Sequence, residues 1–112
     1  MGARANRHRG EIEADFDGIR RVLCLTLGAL AELETAFAVD SLTGLAERFS
    51  SGRLKADDLI RIIGAGLRGG GNLFSDEEVA AMAVADGLAG FARIAAELLQ
   101  ATFGGAAQNE NP

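Results

Sequence analysis

EIEADFDGIRRVLCL, residues 11–25, is the stretch whose reading decides the fold. Ile12, Ala14 and Phe16 alternate with Glu11, Glu13 and Asp15, and a period of two marks a strand with one buried face. Asp17-Gly18 follows. This dipeptide suits a two-residue hairpin turn, in which both positions need positive φ. Ile19–Leu25 then reads as the return strand. That turn pairs Phe16 with Ile19, Asp15 with Arg20 and Ile12 with Leu23, three pairs matched in character. A lone hairpin is marginal in water, so it must pack on something else.

Working outward, the rest reads as helix. Thr26 suits an N-cap, and Leu27, Leu30, Ala31 and Phe37 form the apolar stripe of a helix through about residue 38. Glu32 and Glu34 keep its outer side polar. Asp40-Ser41 offers the next cap, before Leu42, Leu45 and Phe49, and Gly52 closes that short helix. A third helix is expected from about Ala56 to Leu67, with Leu59, Ile60, Ile63 and Leu67 inward. Gly69-Gly70-Gly71-Asn72 is expected to be a loop. Ser75, with Glu78 three residues on, caps a fourth helix, and Phe74 and Val79 have staple spacing. The last helix starts near Asp86 or Gly87, carries Leu88, Phe91, Ile94, Ala95, Leu98 and Leu99, and ends at Gly104-Gly105. The expected fold is α+β and mostly helical, an N-terminal β-hairpin packed on a bundle of four to five short helices. Residues 1–10 are expected as a flexible basic leader and residues 11–104 as one globular domain, with the hairpin at 11–25 and helices at 27–103. Residues 105–112 are expected as a disordered tail.

Length and composition narrow the function. The chain has 112 residues, enough for one domain. Hydrophobic residues make up 48% without Trp or Tyr, so the core must be small and aliphatic. The first ten residues hold Arg4, Arg7, Arg9 and His8 and no acid, leaving eight basic against sixteen acidic residues in the body. An acidic body repels phosphate backbones, which argues against nucleic-acid binding. Cys24 is the only cysteine, so no internal disulfide can form. No apolar run reaches the ~20 residues of a membrane span, and no signal peptide is evident. A cytoplasmic protein is the expectation.

Two motifs imitate chemistry. Gly64, Gly66 and Gly69 fit GxGxxG after an aliphatic run. Gly70, Gly71 and Asn72 follow, so no helix starts where a pyrophosphate would need one. The pattern instead suits a helix C-terminus with small residues at a close crossing. Asp40-Ser41-Leu42 matches the tripeptide in which acyl carrier proteins bear phosphopantetheine on serine, but a carrier has no hairpin. An ordinary N-cap accounts for Ser41. His8 is the only histidine and lies far in sequence from Cys24, which leaves no metal cluster and no nucleophile–base pair. Asp57-Asp58 and Asp76-Glu77-Glu78 stand at helix starts, where acids favour the macrodipole. No catalytic residue, cofactor or metal is expected.

Interaction with other proteins remains. Leu67, Leu73 and Phe74 flank the glycine segment and are candidate partner-binding residues. The last helix, rich in Ala, Leu and Phe, is a second candidate if its apolar stripe is wider than the core needs.

The run Arg20-Arg21-Val22-Leu23-Cys24-Leu25-Thr26-Leu27-Gly28-Ala29-Leu30-Ala31-Glu32-Leu33-Glu34 resembles the small tail protein family of gene transfer agents, phage-like DNA carriers of alphaproteobacteria. His8-Arg9-Gly10-Glu11, Asp40-Ser41-Leu42 with Leu45 and Arg48-Phe49, and Gly66-Leu67-Arg68-Gly69-Gly70-Gly71 extend the resemblance over about residues 7–103. It implies a role in building a phage-like tail, either as a structural component of the tail or as an assembly chaperone. One hairpin offers too little sheet for a tube wall, which favours the chaperone. Such a chaperone would coat the tail tape measure protein and recruit tail tube subunits, in a cytoplasmic or virion-associated setting, with homo-oligomers open.

Overall fold

A computed structural model describes residues 5, 6 and 9–104. Strands β1 (Glu11–Phe16) and β2 (Ile19–Cys24) pair antiparallel, with Phe16 opposite Ile19, Asp15 opposite Arg20 and Ile12 opposite Leu23. Asp17 and Gly18 both have positive φ, 54° and 80°, as the two-residue turn requires. The turn is clamped to a distant loop: the Asp17 amide donates to the Ala83 carbonyl, and the Ala83 amide donates to the Asp17 carboxylate, each at 2.8 Å. Ile12, Ala14 and Phe16 are buried while Asp15 is exposed, so the alternation read from sequence sets the inner face.

Five α-helices follow: α1 (Leu27–Ala36), α2 (Leu42–Ser50), α3 (Ala56–Gly69), α4 (Asp76–Ala80) and α5 (Gly87–Leu99), the last running into a π-helical turn at Gln100–Gly104. Side-chain oxygens of Thr26, Ser41 and Ser75 accept amide hydrogens three residues on and so satisfy open helix donors. Ser75 and Glu78 complete a capping box. Helix α3 is central. It packs on β2, α1, α4 and α5, and Ile62, Ile63, Ala65 and Leu67 are fully buried.

Several sequence expectations change. Helix α1 stops at Ala36, because Ala38 turns into the left-handed region with φ of 57°. Its buried residues are Ala29, Leu30 and Leu33. Leu27 is 79% exposed and Ala31 also faces solvent. At about 100° of rotation per residue, those two fall on the side of the helix turned away from Leu30 and Leu33. Leu88, one of the apolar residues that α5 carries, is 65% exposed. Gly69 closes α3 rather than opening a loop, and the chain turns at Gly70 and at Gly71, where φ is +96°.

Within the leader, the Ala5 and Asn6 amides donate to the Glu13 and Glu11 carboxylates. Residues 1–4, 7 and 8, His8 among them, and the expected tail at 105–112 lie outside the described residues.

Candidate functional site

The glycine pattern comes first because it most resembles a ligand loop. Gly64 and Gly66 are interior residues of α3, and Gly69 ends it. A Cβ at Gly69 would overlap the Cys24 carbonyl oxygen, and one at Gly70 would overlap that of Val22. At Gly66 it would run into the Leu98 side chain. These glycines let the last turn of α3 lie directly on the backbone of β2 and against α5. They serve packing, as expected of small residues at a close crossing.

The three candidate partner-binding residues separate. Leu67 is fully buried, so it belongs to the core and not to any surface set. Leu73 is 83% exposed. Phe74 is half-buried, with the Arg21 guanidinium 4.8 Å above its ring centre. Ser41 is an exposed N-cap whose Oγ accepts from the Gly44 amide at 3.0 Å.

An apolar depression lies elsewhere. It is a groove of about 520 Å³ between α2 and α5, closed at one end by residues 50–54. Phe49, Leu59 and Ala95 form its floor, with Leu99 and Phe103 beside them. Phe49 is held edge-on to Phe37, ring centres 5.3 Å apart, and lies 6.5 Å from the Phe103 ring. One wall is α5, which presents Ala92 and Ala96 to solvent while Leu98 points into the core. The methyl groups of Ala92 and Ala96 let a second helix approach that part of the wall to the short end of the usual ~8–10 Å spacing. Nearer the start of α5, Leu88 and Phe91 line a smaller hollow of about 250 Å³ with Ile60 and Ala80, and Leu59 borders both it and the groove. The last helix is therefore apolar over a wider arc than the core uses.

The groove is charged at one edge. Gly52 and Leu54 face it, while Arg53 and Lys55 lie in the adjoining depression with Arg48. Arg48 is occupied: it bonds the Asp58 carboxylate at 3.3 Å and the Arg53 carbonyl at 3.2 Å, and sits 5.2 Å from the Phe37 ring centre. Arg53 and Lys55 are exposed, and no carboxylate among the described residues pairs with them. Of the two acids at the start of α3, Asp57 is exposed and Asp58 has a structural role. Asp58 is buried and also accepts the Lys55 amide at 2.9 Å.

Two other polar groups hold the frame. Arg68 bridges the Glu32 carboxylate at 2.6 Å, the Asp76 carboxylate at 3.0 Å and the Phe74 carbonyl at 2.8 Å. Burial pulls its proton affinity down, but hydrogen bonds to Glu32 and Asp76 outweigh this and raise it above the ordinary arginine value. The Cys24 thiol is pushed up by burial and by the nearby Glu11 charge, against a smaller opposite pull from Arg9. A thiol held neutral is a poor nucleophile. Among the described residues, no group of three or more His, Cys, Asp or Glu converges as a metal site. Among the described residues, no helix is long and apolar enough to cross a membrane.

Comparison with known proteins adds one finding. A family model described as "Phage tail tube protein, GTA-gp10" matches residues 9–105. No curated protein and no solved structure gives a significant match.

Proposed function

The chain belongs to the GTA-gp10 phage tail tube protein family, and on that premise we propose that it is a tail assembly chaperone that binds the tape measure protein and recruits tail tube subunits. It works by holding other proteins and carries out no chemistry of its own. The observation that carries this reading is the open apolar groove between α2 and α5. Its wall on α5 and the π-helical turn runs from Ala92 to Gly104, at most about 18 Å at 1.5 Å per residue, which suits about three turns of an amphipathic helix. A helix with acidic residues toward the Arg53 and Lys55 edge fits best.

The family's description favours a second reading, a structural component kept in the tail tube. Against it stands the small sheet, two strands of six residues each. That is little backbone from which to build a continuous tube wall.

Co-expression of the full chain with the tape measure protein, scored by solubility and pull-down, tests the chaperone. Ala96→Glu, at an exposed position in the groove, is expected to abolish the complex without lowering the melting temperature. A tape measure protein that stays insoluble beside the unmodified chain counts against the proposal. Stoichiometric copies of the chain in purified particles would establish the structural reading in its place.

A further inference from the structure

Three arginines are half-buried among the described residues. Arg48 meets Asp58, and Arg68 meets Glu32 and Asp76. Arg21 meets no carboxylate. Its one hydrogen bond runs from Nη1 to the neutral Asn72 Oδ1 at 3.1 Å, and its Nε is buried without a partner. Buried donors in native proteins are nearly always satisfied, so an unsatisfied one beside an uncompensated charge calls for a cause.

The surroundings are already arranged for a ligand. Asn72 Nδ2 donates to the Val22 carbonyl at 2.9 Å and to the Leu67 carbonyl at 3.2 Å. Those bonds fix the amide so that its oxygen faces Arg21 and holds one side of the guanidinium. The Phe74 ring lies against its plane. The group is therefore positioned before any partner arrives, with donors left over. Leu73, between those two contact residues, is the most exposed large apolar side chain of the described chain at 83%. Ile19, on the same strand face as Arg21, is 52% exposed. A positioned arginine amid exposed aliphatic and aromatic carbon is the composition of an interface hot spot.

We propose that Arg21, Leu73 and Phe74 form a second docking surface, which takes a carboxylate carried on an apolar segment of another tail protein. The carboxylate accepts from the Nη groups, since Nε is covered by the protein itself, and neighbouring apolar residues of that segment cover Leu73. This surface is separate from the groove. Leu59 lines the groove in the first turn of α3, whereas Asn72 follows its last. Eleven helical residues from Leu59 to Gly70 set the two about 16 Å apart along the axis. Both can be filled at once, so one copy can bridge two partners. The identity of the partner and the choice of probes rest on the proposed tail role; the surface itself does not.

The probes are short overlapping peptides covering the tape measure and tail tube proteins encoded with this chain, titrated against the full chain by fluorescence anisotropy. At least one peptide with Asp or Glu beside apolar residues is expected to bind, and to lose about tenfold or more in affinity with Arg21→Gln. Replacing its acid by the amide should cause a similar loss, and Ala96→Glu in the groove should cause none. Leu73→Asp gives a second check at a fully exposed position, in case Arg21→Gln unsettles the hairpin. If every bound peptide is indifferent to both Arg21→Gln and Leu73→Asp, the surface is refuted, and peptides sensitive to Ala96→Glu would leave the groove standing. Arg21-dependent binding without any groove-dependent peptide would uphold this surface and count against the groove.

Discussion

Gly69→Ala sets two physical effects against each other, and the structure decides the winner. Helix propensity favours alanine over glycine inside a helix by about 0.8–1.0 kcal/mol. Yet the new methyl group would overlap the Cys24 carbonyl oxygen, with the carbonyl carbon 3.2 Å and the Thr26 nitrogen 3.4 Å away. Those atoms are backbone of β2 and the following turn, so no side chain can rotate to make room. Forcing one extra carbon into such a contact costs about 1–3 kcal/mol, and a backbone neighbour puts the cost toward the upper end. The net expectation is a loss of about 1–2 kcal/mol, or about 5–12 °C in melting temperature for a domain of this size. Gly28→Ala is the matched control. Its Cβ would meet only the Thr26 hydroxyl at an ordinary 3.8 Å, so stability should rise by about 0.4–1 kcal/mol. Urea titration and thermal melts followed by circular dichroism read both variants. If Gly69→Ala proves as stabilising as Gly28→Ala, the last turn of α3 does not lie on β2 as described, and the account of the glycine segment fails.

Three further outcomes follow from the packing and the caps. Leu98→Ala removes a fully buried side chain that touches the Gly66 position, and should cost about 2–5 kcal/mol in urea titration. A loss under 1 kcal/mol would mean that α5 is not seated on α3. Ser75→Ala breaks the capping box of α4 and should cost about 0.5–2 kcal/mol, with Ser75→Asp restoring most of it. Cys24 has a raised thiol pKa in the folded chain, so the folded state holds that proton more tightly than the unfolded one. Its contribution to stability is therefore complete below the unfolded value, near pH 8.5, and is lost as pH rises through the higher folded value. Cys24→Ser should flatten the alkaline arm of the stability profile, and a profile identical to that of the unmodified chain would contradict the stated shift.

The hairpin was fully legible in the sequence because two independent signals agree there. Alternation assigns the faces and Asp17-Gly18 fixes the register, so no freedom remained. Caps located the helix starts for a similar reason: Thr26, Ser41 and Ser75 each carry an oxygen that does a local job. Helix rotation was harder. In α1, Leu27 and Leu33 look alike in sequence, and only the position of α3 selects Leu33 for the core. Alanine gives still less warning, because a methyl group is tolerated on either side of a helix. Ala95 is buried and Ala96 exposed, one residue apart, and that difference makes the groove wall. The groove itself joins residues 46–59 to residues 92–104, which no local pattern connects. Its aromatic neighbour Phe103 sits in a π-helical turn that carries no recognisable sequence mark. Leu73 and Phe74 were found from their place beside the glycines, but their relation to Arg21 depends on a contact across fifty residues of chain.

The reciprocal pair of bonds between Asp17 and Ala83 ties the hairpin turn to the approach to α5. During synthesis the hairpin leaves the ribosome long before its anchor exists. A two-stranded ribbon cannot stand by itself in water. Its apolar face must therefore wait, uncovered, until α3 has been made, and its turn stays unclamped until residue 83 follows, so a nascent chain halted before residue 56 would present a sticky, unlocked ribbon. Arrival of α3 and then of residue 83 is thus what seals the hairpin, and folding is governed by closure between segments far apart in the sequence.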